Sequence, residues 1–169
     1  MSVTLEGRFE QYCQSIVATL GHADRRQPAQ WYLKGLMLPG QRKSVEPMAA
    51  RVHPQDVRSA HQSMHHLVAM ADWEDPAVLS TVAEQVTSKL VKGDEDCWWI
   101  LDDTGHAKKG TKSAGVARQY CGRLGKTDNC QIAVSLSLAS ARGSIPVAYR
   151  LYLPREWTDD RQRCRAAGV

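Results

Sequence analysis

Two adjacent carboxylates, Asp102 and Asp103, follow the apolar run Cys97-Trp98-Trp99-Ile100-Leu101. A carboxylate at the end of a buried strand is held rigidly enough to act as a metal ligand. Mg²⁺ takes oxygen donors and keeps much of its water, so one or two carboxylates per ion suffice when a substrate phosphate supplies further oxygens. Two such ions, roughly 3.5 to 4 Å apart, would activate an attacking oxygen and stabilise a leaving one. Neighbouring strand residues point to opposite faces, so Asp102 and Asp103 do not readily grip the same ion. One is expected to ligate and the other to support it. By itself the pair also fits a turn or a helix cap.

Other reactive side chains form weaker patterns. His61 and His65 are four apart on a predicted helix, but Gln62-Ser63-Met64 between them lacks the glutamate of a zinc-protease motif. The glycines at 105, 110, 115, 122 and 125 do not have phosphate-loop spacing. Five cysteines, at 13, 97, 121, 130 and 164, form no C-x-x-C pair and leave an odd count. They are expected to be reduced thiols in a cytoplasmic protein. Neither a secretory signal nor an uninterrupted apolar run of about 20 residues occurs, so no membrane partner is expected.

The net charge is +4, mild support for a nucleic-acid partner. Its distribution is more informative. Arg25, Arg26, Lys34, Arg42, Lys43, Arg51 and Arg58 face only Glu46 and Asp56 within their stretch, and Lys108, Lys109, Lys112, Arg118, Arg123 and Lys126 form a second basic stretch. The alternative for each is a solvated face.

The elements that must position these groups divide the chain in two. Leu5, Phe9, Cys13, Ile16, Val17 and Leu20 recur at helical spacing before Gly21. A second helix is expected around Pro28 to Met37, a third from Ser44 to about Val52, and a fourth from Pro54 through Leu67. Asp75-Pro76 should open a fifth, with Val78, Leu79, Val82, Val86 and Leu90 as its buried stripe and Gly93 as its stop. The two short helices carrying Arg42, Lys43, Arg51 and Arg58 suit a helix-turn-helix variant.

Beyond the acidic linker 93–96 the period changes. Cys97–Leu101 reads as a buried strand, with Trp98 and Trp99, like Trp31, expected in the core. Cys130 to Ala139 alternates strictly, and Ile145 to Leu153 repeats the alternation after a turn at Ala141 to Ser144, which predicts an antiparallel hairpin. A basic, glycine-bearing loop is expected between Asp103 and this hairpin. Pro154 should end the second arm, and Arg155 to Val169 should begin a helix or loop. The expected division is a helical DNA-binding region over 1–93 and a sheet region over 94–169. The helices all precede the strands, so either they cover the sheet's second face or its covering elements lie further along a longer chain, and the polar segment after Pro154 favours the second.

Three segments together resemble one family in its order. WYLKGLMLPGQRKSVEPMA at 31–49, WILDDTGHAKKGTKSAGVARQYCGRLGKTDNCQIAVSL at 99–136 and IPVAYRLYLPREW at 145–157 are similar to insertion-sequence DDE transposases. The resemblance implies an α+β protein: an N-terminal helical bundle followed by the first three antiparallel strands of an RNase H-like catalytic domain. It implies that Asp103, the carboxylate followed by Thr104, is the first of three catalytic metal ligands, with Asp102 the less favoured neighbour. The metal would be Mg²⁺ or Mn²⁺, and the reaction attack of water and then of a DNA 3′-hydroxyl on phosphodiester bonds. The family's second Asp and its Glu lie on later elements. Asp159 and Asp160 follow Trp157 in a polar segment and do not match them.

The expectation is therefore a transposase portion, inactive alone, that binds double-stranded transposon ends. Arg42, Lys43, Arg51, Arg58, Lys108, Lys109, Lys112, Arg118 and Arg123 are its candidate DNA contacts. Candidate partners are a second copy or a full-length transposase, and the site of action is the bacterial nucleoid. Two alternatives stand beside it: a small metal-dependent nuclease assembling Asp102, Asp103, Asp159 and Asp160 or a homodimer, and a truncated regulator competing for the ends.

Overall fold

A computed structural model describes residues 4–93 and 96–169. The described residues form two compact units, 1–82 and 83–169, an α+β arrangement with helices preceding an antiparallel sheet.

In the first unit, α1 (Leu5–Ala18) starts where the Thr4 hydroxyl accepts the Gly7 amide at 3.1 Å. It buries Cys13, Ile16 and Val17, the face its periodicity predicts. A short 3₁₀ turn (Ala23–Arg25) leads into α2 (Arg26–Met37), followed by α3 (Val45–Val52) and α4 (Val57–Ala69). Met48 and Ala49 of α3 and Ala60 and Met64 of α4 have no solvent exposure, and Trp31 and Tyr32 of α2 pack on them. Burying each methionine contributes about 1.5–3 kcal/mol. Gly35 permits the close approach of α2 to α3, since a Cβ there would lie 2.8 Å from Met48 Cβ. A second cluster joins Val17, Leu20, Ala29 and Leu67, with Trp73 and Val78 against it.

Two helix starts differ from expectation. Ser44 stands at the α3 N-cap but makes no side-chain cap bond. Helix α4 begins at Val57, after Pro54, because Asp56 Oδ1 accepts the Ser59 amide at 3.0 Å and supplies the cap. Helix α5 (Asp75–Leu90) spans the boundary between the units; Leu90 is its buried residue.

The second unit is built on four strands: β1 (Cys97–Ala107), β2 (Ala117–Cys121), β3 (Lys126–Ser140) and β4 (Gly143–Leu151). The long β3 pairs with β1 on one side and with β2 and then β4 on the other. The predicted hairpin is present, closing through Ala141 and Arg142 with a register irregularity at Leu136/Ser137.

Three expectations need correction. The strand carrying the carboxylates does not stop at them. It continues to Ala107, because Thr104–Ala107 pair with Cys130–Ala133. Among the described residues four strands are present where three were expected, since the basic segment contains β2, zipped to Lys126–Cys130. Trp98 and Trp99 are 54% and 65% exposed, whereas Trp157 on the short helix α6 (Arg155–Thr158) is buried. Helix α7 (Arg161–Ala166) follows α6.

Candidate nucleic-acid and metal site

Asp102 and Asp103 lie in the middle of β1, opposite Ser135 and Val134 of β3. Strand alternation puts Asp103 on the face of Leu101 and Gly105, and Asp102 on the face of Ile100 and Thr104. Asp102 Oδ1 accepts the Asp103 amide at 2.9 Å, so it braces its own strand. The Asp103 carboxylate is exposed and has no hydrogen-bond or ion-pair partner among the described residues. It is a free hard-oxygen donor on a rigid strand, the type that suits a divalent cation.

Behind it the backbone is tightly packed. A Cβ on Gly105 would lie 2.6 Å from Cys121 Sγ and 3.2 Å from Cys121 Cα. Only a glycine lets β2 and its 3₁₀ turn (Gly122–Leu124) close over this part of β1. Cys121 and Cys130 are buried free thiols; burial, then the neighbouring Cys121, pushes the Cys130 thiol upward.

No group of three His, Cys, Asp or Glu side chains converges to hold a metal among the described residues. The donor set therefore does not fit a complete two-ion centre. Asp160 Oδ1 instead accepts the Arg163 amide at 2.9 Å and caps α7, while Asp159 is exposed. The His61 and His65 rings lie 6.1 Å apart without a third donor.

The candidate DNA contacts separate into two groups. Lys43 Nζ donates to the carbonyls of Gly35, Leu36 and Leu38, satisfying the C-terminal end of α2. Arg51 donates both terminal nitrogens to the Arg42 carbonyl at 3.3 Å and lies over Gly40. Both brace the α2–α3 loop. Arg42 and Arg58 extend exposed side chains. In the second unit Lys109, Lys112, Arg118 and Arg123 are exposed and Lys108 is half-buried. The ion pairs among the described residues are His22 with Asp24 and Lys126 with Asp128, so none of these five is in contact with a carboxylate, although Arg118 acts on Asp128 at longer range.

The segment 108–116 is no loose loop. Asn129 Nδ2 donates to the carbonyls of Lys108 and Gly110 at 2.7 and 2.9 Å, and Gln131 Nε2 to that of Ala114 at 2.7 Å. Trp157 Nε1 donates to the Val116 carbonyl at 2.8 Å. Asn129, Gln131 and Trp157 were not singled out by sequence reasoning. The available signal was polar amides at alternating positions of a strand, which also reads as an ordinary solvated face.

Residues 16–169 match the DDE superfamily endonuclease family, and the chain belongs to it. Among curated proteins it is similar to the probable transposase for insertion sequence element IS701 of Microchaete diplosiphon, 37% identical over 95 residues. That match covers 56% of this chain and 24% of the relative, so the chain spans about a quarter of the length of the curated relative it matches. The resemblance to insertion-sequence DDE transposases is thereby established. No solved structure matches the chain.

Proposed function

We propose that this chain is the DNA-binding portion of an insertion-sequence transposase, contributing the first carboxylate, Asp103, to a metal centre completed by residues of a longer chain. The observation that carries this reading is the unpartnered Asp103 on a rigid strand, in a family whose name denotes carboxylate-dependent cleavage of DNA, with no group of three metal-ligating side chains among the described residues. The uncovered β1, with Trp98, Trp99, Ile100 and Leu101 exposed, supports the view that further elements complete the domain. The bound partner is double-stranded DNA at transposon ends. Arg42 and Arg58 in the first unit and Lys108, Lys109, Lys112, Arg118 and Arg123 in the second are its contacts, and Lys43 and Arg51 shape the first of these surfaces.

When all its ligands are present, Mg²⁺ or Mn²⁺ would polarise the scissile phosphate. This chain's own residues bind and orient the duplex, and Asp103 presents one oxygen donor. Working on chromosomal DNA, it would be nucleoid-associated. A regulator that occupies transposon ends has the same binding and the same lack of cleavage.

The test is a titration of the chain against labelled duplex carrying candidate ends, at two salt concentrations with Mg²⁺ present, resolved on a denaturing gel. Binding that weakens with salt and leaves the DNA intact is expected. Cleavage lost in Asp103→Ala would show a complete centre in this chain and overturn the reading in favour of a small nuclease.

A further inference from the structure

The carbonyl groups of the loop between β1 and β2 are turned onto protein donors almost throughout. Besides the three anchors above, Arg163 Nη2 donates to the Thr111 carbonyl at 3.2 Å and Gln119 Nε2 to that of Gly115 at 3.3 Å. Arg163 is itself fixed 3.8 Å above the Trp157 ring. At the near end of the loop the Lys108 amide donates to the Asn129 carbonyl, and at the far end the Val116 amide to that of Ser113. Between them, none of the backbone N–H groups of residues 109–115 has a partner among the described residues. Residues 109–113 are exposed, and Lys109 and Lys112 make no ion pair among the described residues.

This sorts the backbone polarity. Acceptors are consumed from within by side chains, whereas the amides of the exposed residues 109–113 and the lysine ammonium groups remain for an outside ligand. Free amides alongside cationic side chains make an anion-binding surface, and for a repeating anion they make a phosphate-backbone surface without base selectivity. Holding it in place beforehand saves the ordering cost that a mobile lysine loop meets on binding.

The geometry points to residues 108–116 as a preformed cradle for the phosphodiester backbone of DNA, with Asn129 and Gln131 as the positioning residues that keep its amides and lysines presented. This deepens the proposed function and rests on it. Asn129 and Gln131 carry no charge and leave the DNA to the loop; they act through the carbonyls they hold.

The experiment compares the full chain with Asn129→Ala, Gln131→Ala, Arg58→Ala and the triple Lys108→Ala/Lys109→Ala/Lys112→Ala. Duplex affinity is measured over a salt series, and trypsin cleavage at Lys109 and Lys112 is followed in the DNA-free chain. Removing one phosphate interaction should lower the salt slope by about 0.9, so the triple variant should show a slope smaller by about 2–3. Asn129→Ala and Gln131→Ala should each lower it by about 1 although every positive charge is kept, with cleavage at Lys109 or Lys112 faster by about 10-fold as the loop opens. A change in slope at constant charge is not produced by a merely structural role. If one of the two fails to fold, the other tests the same loop from its opposite half.

Unchanged slope and affinity in the folded positioning variants would overturn the cradle, as would a triple variant that binds like the parent. In both cases a loss of binding in Arg58→Ala leaves the proposed function standing. A parent chain that binds no DNA overturns both.

Discussion

Gly105 is the residue at which the backbone around Asp103 is least forgiving. A methyl group there meets Cys121 at Sγ and Cα, and the Cα belongs to a paired strand that cannot step aside cheaply. Gly105→Ala should cost about 1–3 kcal/mol, the usual range for overpacking a closed site. Urea denaturation read by tryptophan fluorescence would measure it; a parent-like midpoint would mean that β2 does not close on β1 here. Asp128 offers a separate test by pH. Lys126 Nζ lies 3.0 Å from it and the Asn129 amide donates to it, and these hold its carboxyl below the ordinary aspartate range. A depressed carboxyl adds stability that is present above its unfolded pKa, about 3.9, and is lost as pH falls through the folded value. The melting temperatures of the parent and Asp128→Asn should differ at neutral pH and converge under acid conditions below about pH 4. A constant gap across that range would show that the ion pair is not the cause. Asp103 was legible as a strand carboxylate from the apolar run before it. That Asp160 serves as a helix cap, and that no group of three donors forms among the described residues, became visible only in the structure.

At the scale of elements, α2, α3 and α4 show how similar basic residues divide between structure and binding. Met48 has no exposure and meets both neighbouring helices, so Met48→Ala should cost about 2–5 kcal/mol, and DNA binding should fail at the temperature where the unit unfolds. Lys43→Ala should lower stability, by about 1–3 kcal/mol if the carbonyls at the end of α2 find no water. It should leave the salt slope of binding almost unchanged. Arg58→Ala should do the reverse, keeping stability and lowering the slope by about 1. Calorimetry beside a salt titration separates the two, and a large slope change in Lys43→Ala would return that residue to the interface. The helices were readable because their apolar residues repeat cleanly. The sheet was less so: Thr104-Gly105-His106-Ala107 and Ala117–Cys121 carry too few apolar side chains to announce a strand, and they are strands because β3 is long enough to pair with both. Lys126 to Asn129 falls within the expected loop and is overridden by the same pairing.

For the whole molecule the informative feature is what β1 leaves uncovered. Among the described strands it pairs with β3 alone. Its apolar end shows Leu101 at 74% and Trp99 at 65% exposure on one face, with Trp98 and Ile100 on the other. A free strand edge with apolar faces is a template for pairing with another chain. That follows from the one-sided β1, because each apolar residue left in water forgoes up to about 1.5–3 kcal/mol of burial. The chain in isolation should therefore self-associate as its concentration rises, with a growing sedimentation coefficient and a blue shift in tryptophan emission as Trp98 and Trp99 leave water. Replacing Leu101 with lysine and Trp99 with threonine charges the edge and removes its widest apolar area while β1 keeps its backbone pairing. This double variant should remain monomeric over the same range and retain the β3 pairing seen by amide exchange. A parent that stays monomeric with no blue shift over that range would show that the edge is not adhesive and that completion of the sheet is not what β1 requires.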